Sequence, residues 1–185
     1  MLLYDRQASP AQESLWSQIE RRAVAGPAAG KGLKLELLPS EQTSWSTWKE
    51  KHPDTRVLST NTGYTRSYAR NPYANYFGSQ RLMFNVDRKY PDQPDLQNKD
   101  MLMVVHANGT FKGYPSRRVS NAAGSDGMIV DSVGGKKVQV RVDPDGNLSA
   151  DYPNGSGSPS VFYTFWFAFQ TAFEKNEATL FDPGR

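Results

Sequence analysis

The chain has 185 residues with 22 Lys or Arg and 19 Asp or Glu, a formal charge of +3 and a length that suits one domain. It contains no cysteine, which excludes disulfides, thiolate catalysis and thiolate metal ligands within these residues. Its lysines are scattered along the sequence, so a nucleic-acid partner is not indicated. No targeting signal or transmembrane segment is predicted, because the longest apolar run is too short to span a bilayer.

The first forty residues predict short elements separated by breakers. Residues 1–7 (MLLYDRQ) indicate a strand that is followed by a polar loop over 8–14. The next segment is ambiguous, but it has the spacing of one helix face, with apolar side chains at Leu15, Ile19 and Ala23. Leu alternates with charged residues over 33–39, which favours a half-buried strand.

A tryptophan-bearing helix is predicted in the next segment. Thr43 or Ser44 caps its N-terminus and Pro53 ends it. Trp45 and Trp48 are three residues apart and therefore share one face, which we expect to cover part of the core. Two further short strands are predicted, at 56–59 and 80–86.

Turn chemistry predicts an antiparallel meander over residues 101–152. Asn108-Gly109 is the strongest short-range signal for a hairpin, and Gly134-Gly135 separates two further apolar segments. A third turn is indicated by the Asp-Pro-Asp-Gly segment at 143–146. The alternation of Val138, Val140 and Val142 with polar residues indicates one buried face.

An aromatic segment at 161–173 predicts the main covering helix. Its large apolar side chains fall at helical spacing, and Ser158 or Ser160 is a candidate cap. A strand is the competing interpretation, although the length of the segment favours a helix. The expected fold class is therefore α+β and β-rich, with antiparallel hairpins or a meander covered by one or two short helices, in a single domain over 1–185.

Residues 61–81 (NTGYTRSYARNPYANYFGSQR) interleave aromatic side chains with arginine and contain no acid. Such a segment can bind a small polar or anionic ligand, or a protein partner, by stacking and bidentate hydrogen bonds. The alternative, which we favour, is that tyrosine and arginine fasten a long irregular loop onto the scaffold. The candidate ligand-binding residues are Arg66, Tyr68, Arg70, Tyr73, Tyr76 and, from the preceding segment, His52.

No catalytic residue, metal site or cofactor is predicted. His52 lies two residues from Asp54 with Pro53 between them, which indicates a helix end rather than a base held by an acid. The other histidine, His106, ends an apolar strand, and no His-x-His or His-Glu-x-x-His spacing is present. The sequence also lacks a Gly-x-Ser-x-Gly motif and a phosphate-binding loop.

Several segments, read together, resemble one known family. They include SLWSQ at 14–18, HPDTRVLS at 52–59, NPYANYF at 71–77, GYP at 113–115, DSVGGKKVQV at 131–140 and FWFAFQTAF at 165–173. In this order they are similar to the prokaryotic family known as domain of unknown function 3179, over nearly the whole chain. Because the activity of that family is not established, the resemblance carries over no catalytic residues.

The resemblance implies an extracytoplasmic protein. Family members usually have an earlier unit, similar to residues 101–142, that ends in a Cys-Pro-Leu-Cys segment, so we expect the chain to be the C-terminal portion of a longer member. The leading hypothesis is a non-enzymatic binding or structural module of a prokaryotic envelope protein. The alternative is part of an enzyme whose thiol or metal site lies in the missing upstream segment.

Overall fold

A computed structural model describes residues 2–38, 40–86, 90, 93–153, 155–173 and 176–184. Within these ranges the chain forms ten strands, five short α-helices and one 3-10 helix at Pro10–Gln12. In chain order they are β1 (Leu2–Asp5), β2 (Ser14–Ser17), β3 (Arg22–Ala25), α1 (Pro27–Gly30), α2 (Trp45–Lys51), α3 (Ala74–Phe77), β4 (Met101–Ala107), β5 (Thr110–Pro115), α4 (Ser116–Ala122), β6 (Met128–Val133), β7 (Lys136–Val142), β8 (Leu148–Asp151), β9 (Ser160–Phe165), α5 (Trp166–Ala172) and β10 (Ala178–Leu180). The fold is α+β and β-rich, as the sequence predicts.

A four-stranded sheet with the order β10-β5-β4-β9 forms the centre of the molecule. Strands β4 and β5 are joined by the predicted Asn108-Gly109 turn, in which both residues have positive φ (47° and 77°), as a type I′ turn requires. Strand β9 is antiparallel to β4, whereas β10 lies parallel to β5 on the opposite edge. The hairpin is confirmed, and the parallel edge strand is an addition that the sequence did not indicate.

The predicted meander over 101–152 is divided between two sheets: its first hairpin, β4–β5, belongs to the central sheet, and its later strands form the three-stranded sheet β6-β7-β8. The first turn of this β6-β7-β8 meander touches the β4–β5 turn, because the side-chain amide of Asn108 donates a hydrogen bond to the carbonyl of Gly134 at 2.9 Å. Gly134 has φ 55°, and a Cβ built on it would lie 2.2 Å from the carbonyl oxygen of Ala107. Only glycine fits this close approach, so the two sheets are joined at their hairpin turns.

The main core lies between these two sheets. Strand β4 contributes side chains at Met103, Val105 and Ala107, and the meander contributes Val133, Val138, Val140, Leu148 and Ala150. Each buried aliphatic side chain stabilises the fold by about 1.5–3 kcal/mol relative to exposure. The period-2 alternation along β4 and β7 therefore determines which face of each sheet is buried.

Helix α5 covers the other face of the central sheet. Trp166, Phe169 and Phe173 pack there against Leu102 and Val104 of β4. The prediction of a covering helix is confirmed for this half of the aromatic segment. Helix α4 adds Val119 to the core between the sheets, so two short helices cover the sheets.

The first half of the aromatic segment is not helical, and the predicted helix over 161–173 is wrong there. Residues 160–165 form β9, and the helix begins after Phe165 rather than at Ser158 or Ser160. Val161 and Tyr163 face the core between the sheets, whereas Phe162 faces α5. A strand that is covered on both faces is apolar throughout, so its composition does not show the alternation that identifies a half-buried strand.

The N-terminal segment also differs from its prediction after the confirmed strand β1. The segment that the sequence left ambiguous is not helical: although Leu15, Ile19 and Ala23 have helical spacing, β2 and β3 pair as an antiparallel hairpin in which Trp16 lies opposite Ala23. Residues separated by a few positions can share one face of a helix or lie across a tight hairpin. The spacing alone therefore does not distinguish a helix from a hairpin. The expected strand at 33–39 is limited to one isolated bridge, between Lys34 and Arg22.

Helix α2 has the predicted bounds but not the predicted role. The Ser44 hydroxyl accepts a hydrogen bond from the backbone N–H of Thr47 at 3.3 Å, and the helix ends at Lys51. Trp45 is 54% exposed, so the tryptophan face does not cover the core as expected. The expected strands at 56–59 and 80–86 are absent, and no backbone pairing with another strand is formed in either range. Among the described residues, no helix combines the length and the apolar character needed to cross a membrane.

Candidate functional site

A cavity of about 630 Å³ lies beside the edge strand β10, between the central sheet and the start of the meander. This volume is typical of sites for small molecules, which range from about 300 to 1,000 Å³. The polar part of the lining comes from six elements or loops of the chain, including Asp182 after β10. The side chains that matter for its chemistry are Gln93, Lys112, Arg118, Asp131, Thr179 and Phe181.

A charged pair sits on the inner faces of the two sheets at this cavity. The Nζ atom of Lys112, on β5, lies 2.8 Å from the Oδ2 atom of Asp131, on β6. Both side chains are largely removed from water, with exposed fractions of 19% and 18%. A buried ion pair of this kind is stable only when its remaining polar groups are also satisfied.

Tyr114 is the third member of this cluster. Its hydroxyl donates a hydrogen bond of 2.9 Å to the same Oδ2 atom of Asp131, and the backbone N–H of Ser132 donates one of 2.7 Å to Oδ1. Burial, assisted by the charge of Asp131, raises the pKa of Tyr114 well above its usual value. The phenol therefore stays protonated and acts as a hydrogen-bond donor that holds the carboxylate in place.

The strand pattern explains why these polar groups meet. Lys112 is two residues before Tyr114 on β5, so both side chains point from the same face of the central sheet towards the meander. Asp131 lies between Ile129 and Val133 on β6, at the position that otherwise faces the core. A lysine and an aspartate thus occupy two inward positions that an ordinary two-sheet core would fill with apolar side chains.

Arg118 fixes the other side of the cavity. It holds Asp95 in a bidentate pair, with Nε–Oδ2 and Nη2–Oδ1 distances of 2.8 and 2.7 Å, and donates through Nη1 to the carbonyl of Phe181 at 3.1 Å. It also donates to the side chain of Gln93. Its hydrogen bonds lower the pKa of Asp95. Arg118 therefore joins α4, the loop before β4 and the residues after β10 around the cavity.

The cavity presents donors and acceptors side by side. Within the described residues Lys112 has only Asp131 as a charged partner, which leaves two ammonium protons to donate. Thr179, opposite Lys112 in the parallel pair, adds a hydroxyl, and Gln93 adds an amide. The rings of Tyr90 and Phe181 provide flat apolar surface in the same lining. This combination suits a small ligand with several hydroxyl groups.

The structure places the predicted Tyr/Arg residues elsewhere. Arg66, Tyr68, Arg70 and Tyr73 are exposed and line neither this cavity nor a smaller one of about 200 Å³ near Tyr163. The interpretation that tyrosines fasten this loop onto the scaffold is wrong for Tyr68 and Tyr73, because their rings are not buried. Their role in binding a ligand stays a prediction.

Tyr76 is the member of this set that is held by the scaffold. The ammonium group of the buried Lys99 donates to the carbonyls of Tyr76 and Ser79 and lies 3.5 Å from the centre of the Tyr76 ring. Gln80 reinforces this contact, because its side chain accepts a hydrogen bond from the backbone N–H of Lys99 at 2.6 Å. Within residues 61–81, the described part of the scaffold therefore holds the chain only near Tyr76, Ser79 and Gln80.

The two histidines make separate aromatic contacts. His52 caps the C-terminus of α2, as expected, and its ring centre lies 4.0 Å from that of Trp48. His106 stacks on Phe111 at 4.4 Å, and burial, together with the charge of Arg21, lowers its pKa. In the part of the chain that the structure describes, no group of three or more His, Asp or Glu side chains is placed to hold a metal ion.

Sequence reasoning missed Lys112, Asp131 and Arg118. A signal was present for Asp131, a charged residue at a strand position whose neighbours two residues away, Ile129 and Val133, are both apolar, and a weaker one for Lys112, two residues before Tyr114. Arg118 had no such signal, because its importance depends on the fold of the loop at 93–95 and the segment after β10. The cavity thus arises from pairings that are distant in sequence.

Comparison with known proteins decides the family. The family model described as "Protein of unknown function (DUF3179)" matches residues 1–183. The chain belongs to the DUF3179 family. No significant match was found among curated proteins or among solved structures. Within this DUF3179 protein, the segments around GYP and DSVGG, which carried the resemblance, contribute Lys112 and Asp131 to the lining of the cavity.

Proposed function

We propose that this DUF3179 protein is a non-enzymatic binding module that takes a small polyhydroxylated ligand, such as a sugar, into the cavity beside β10. The observation that carries the proposal is the Lys112–Asp131 pair, which sits 2.8 Å apart on inner sheet positions inside a cavity of suitable volume. A cation and a carboxylate side by side offer a donor and an acceptor to neighbouring hydroxyl groups.

Stability alone does not account for the pair. Removing two charges from water costs several kcal/mol per ion, and an apolar pair of similar volume is often as stable or more stable. The surrounding inner positions, such as Val105 and Val133, are apolar and well packed. A charged pair at the mouth of such a core is therefore better explained by recognition of a polar ligand.

The hydrogen bonding of Asp131 favours binding over catalysis. Its carboxylate accepts from Lys112, Tyr114 and the Ser132 backbone at once, which holds it rigidly and leaves about one of its four lone-pair sites to accept from a ligand hydroxyl. A rigid, well-satisfied acceptor suits the positioning of a ligand. Arg118 likewise uses four of its five N–H donors on Asp95, Gln93 and the Phe181 carbonyl, and it forms one wall of the site.

The experiment is a calorimetric titration of monosaccharides, disaccharides and linear polyols into the protein and two lysine variants. Lys112→Met removes the ammonium group in the cavity, while Lys137→Met removes one from the exposed face of β7. Loss of one charged hydrogen bond lowers affinity by about 10- to 100-fold. We expect this loss of affinity for Lys112→Met and unchanged affinity for Lys137→Met. The Asp131→Asn variant should also bind the ligand more weakly than the wild type.

Two outcomes would contradict the proposal. Equal affinity of the wild type and Lys112→Met would exclude the cavity as the binding site. Failure of every panel member to bind the wild-type protein would exclude the ligand class. Thermal unfolding of each variant separates loss of binding from loss of the folded state.

The proposal also places the module outside the cytoplasm of a prokaryotic cell, as the family resemblance implies. Fractionation of the native host with an antibody against the chain tests this location. Recovery with envelope or secreted markers would support it, and recovery with cytosolic markers would contradict it.

A further inference from the structure

Residues 55–86, here called the acid-free segment, form an exposed basic surface. The segment contains no Asp, Glu or Lys but has four arginines, Arg56, Arg66, Arg70 and Arg81. All four are exposed, and none forms an ion pair with a carboxylate of the described residues. The surface therefore carries four guanidinium charges that the described part of the chain leaves unneutralised.

Large apolar side chains are exposed on the same segment. Leu58 and Met83 are 94% and 85% exposed, and Val57, Tyr64, Phe77 and Phe84 are exposed as well. Exposed apolar residues also occur outside the segment, for example at Leu2, Leu3 and Leu38, but within it they are interleaved with arginine and no acid. A partner for this surface must offer both negative charge and an apolar phase.

The scaffold holds one end of the segment in place. Lys99 and Asn98 bond the backbone at Tyr76, Ser79 and Gln80. Beyond them the Phe84 ring lies 5.5 Å from that of Phe167 at the start of α5. The residues from 56 to 75 are exposed throughout, and so extend from this anchored end into solvent.

We propose that the acid-free segment is a peripheral docking surface for an anionic lipid bilayer. Lipid phosphates neutralise the four guanidinium groups, and the interface accepts tyrosine, phenylalanine, leucine and methionine side chains at the level of the headgroups. A nucleic acid or an acidic polypeptide satisfies the charges but gives Leu58 and Met83 no apolar phase. This inference uses none of the residues of the proposed ligand cavity and is independent of it.

The test is co-sedimentation of the protein with vesicles of phosphatidylcholine alone or mixed with phosphatidylglycerol. Each arginine near an anionic surface strengthens binding about fivefold, so Arg66→Gln with Arg70→Gln should weaken it about 25-fold. The matched control, Arg6→Gln with Lys137→Gln, removes the same charge from exposed positions outside the segment. Leu58→Ser with Met83→Ser should weaken binding at least about fivefold through loss of apolar contact.

The proposal predicts binding to the anionic vesicles only, a weaker interaction at about 1 M than at about 0.1 M salt, and little effect of the control. Circular dichroism of each variant confirms that the fold is kept. Absence of vesicle binding, equal binding to neutral vesicles, or equal losses in the control would overturn it. So would binding to polyglutamate or duplex DNA that matches vesicle binding and is insensitive to Leu58→Ser with Met83→Ser.

Discussion

Two regions of the chain, residues 101–173 and residues 33–86, differ in the contacts that hold them in place. In the first region β4 is buried from both sides, by the meander and by α5, and five of its seven residues are buried. In the second region residues 56–75 are exposed throughout, and its contacts are mostly local. The comparison shows that aromatic content alone does not make a core, because rings stabilise a fold only where a second layer covers them.

The difference in burial between the two regions follows from the order of their residues along the chain rather than from their composition. The first region has alternating apolar residues and turn signals that pair its strands, so its rings and aliphatic side chains face one another. The second region has no sustained period, and its fixed points are single groups such as the Ser44 cap and Lys99. We expect large losses of stability from changes in the first region and small ones in the second.

The largest expected effect is at the centre of the α5 layer. Phe169 is fully buried against Leu102, Val104, Trp166 and Phe173, so Phe169→Ala should lower the free energy of unfolding by about 4 kcal/mol. Tyr64→Ala in the exposed region should change it by no more than about 0.5 kcal/mol. Urea unfolding followed by tryptophan fluorescence measures both. Similar losses for the two variants would contradict the contrast between the regions.

The next largest expected effect is a difference in stability loss between substitutions of two adjacent glycines in one turn. Gly134→Ala should destabilise by about 3 kcal/mol, because the new Cβ meets the carbonyl of Ala107 at 2.2 Å in addition to the cost of positive φ. Gly135→Ala has positive φ but nothing within 4 Å, so only about 1 kcal/mol is expected. Denaturation midpoints of the two variants measure the difference. Equal midpoints would show that the two hairpin turns do not approach closely.

The smallest effect concerns Asp95, a surface acid that borders the cavity. Its pKa is lowered by the hydrogen bonds from Arg118, so its ionised form stabilises the folded state. This contribution is present above the unfolded value of about 4 and is lost as the pH falls through the folded value. Because the side chain is half exposed, Asp95→Asn should cost less than about 1 kcal/mol at neutral pH.

The measurement is thermal unfolding from neutral to strongly acidic pH. The difference in unfolding free energy between wild type and Asp95→Asn should be constant at neutral pH and shrink below about pH 4. Asp145→Asn, which removes the same charge from an exposed turn, serves as the matched control. A difference that grows on acidification would show that the Asp95–Arg118 pair does not stabilise the fold.

The parts of the fold that sequence predicted are those with local causes. The Asn108-Gly109 hairpin, the meander and the capped helix α2 each depend on residues within about ten positions of one another. Strand β9 was misread because its two covered faces remove the alternation, and β10 was missed because a parallel partner leaves no turn signal. The cavity was missed for the same reason, since Lys112, Arg118 and Asp131 meet only after the sheets have paired.

The short strand β10 has a consequence for the cavity that it borders. It has three residues at the edge of the sheet, and two side-chain tethers, Tyr90 to the Ala178 carbonyl and Arg118 to the Phe181 carbonyl, fix its ends. Short edge elements open locally far more easily than the whole domain unfolds. Occupancy of the cavity and docking of this strand are therefore thermodynamically linked, and a bound ligand slows deuterium uptake at the amide of Phe181, which donates to the Gly113 carbonyl.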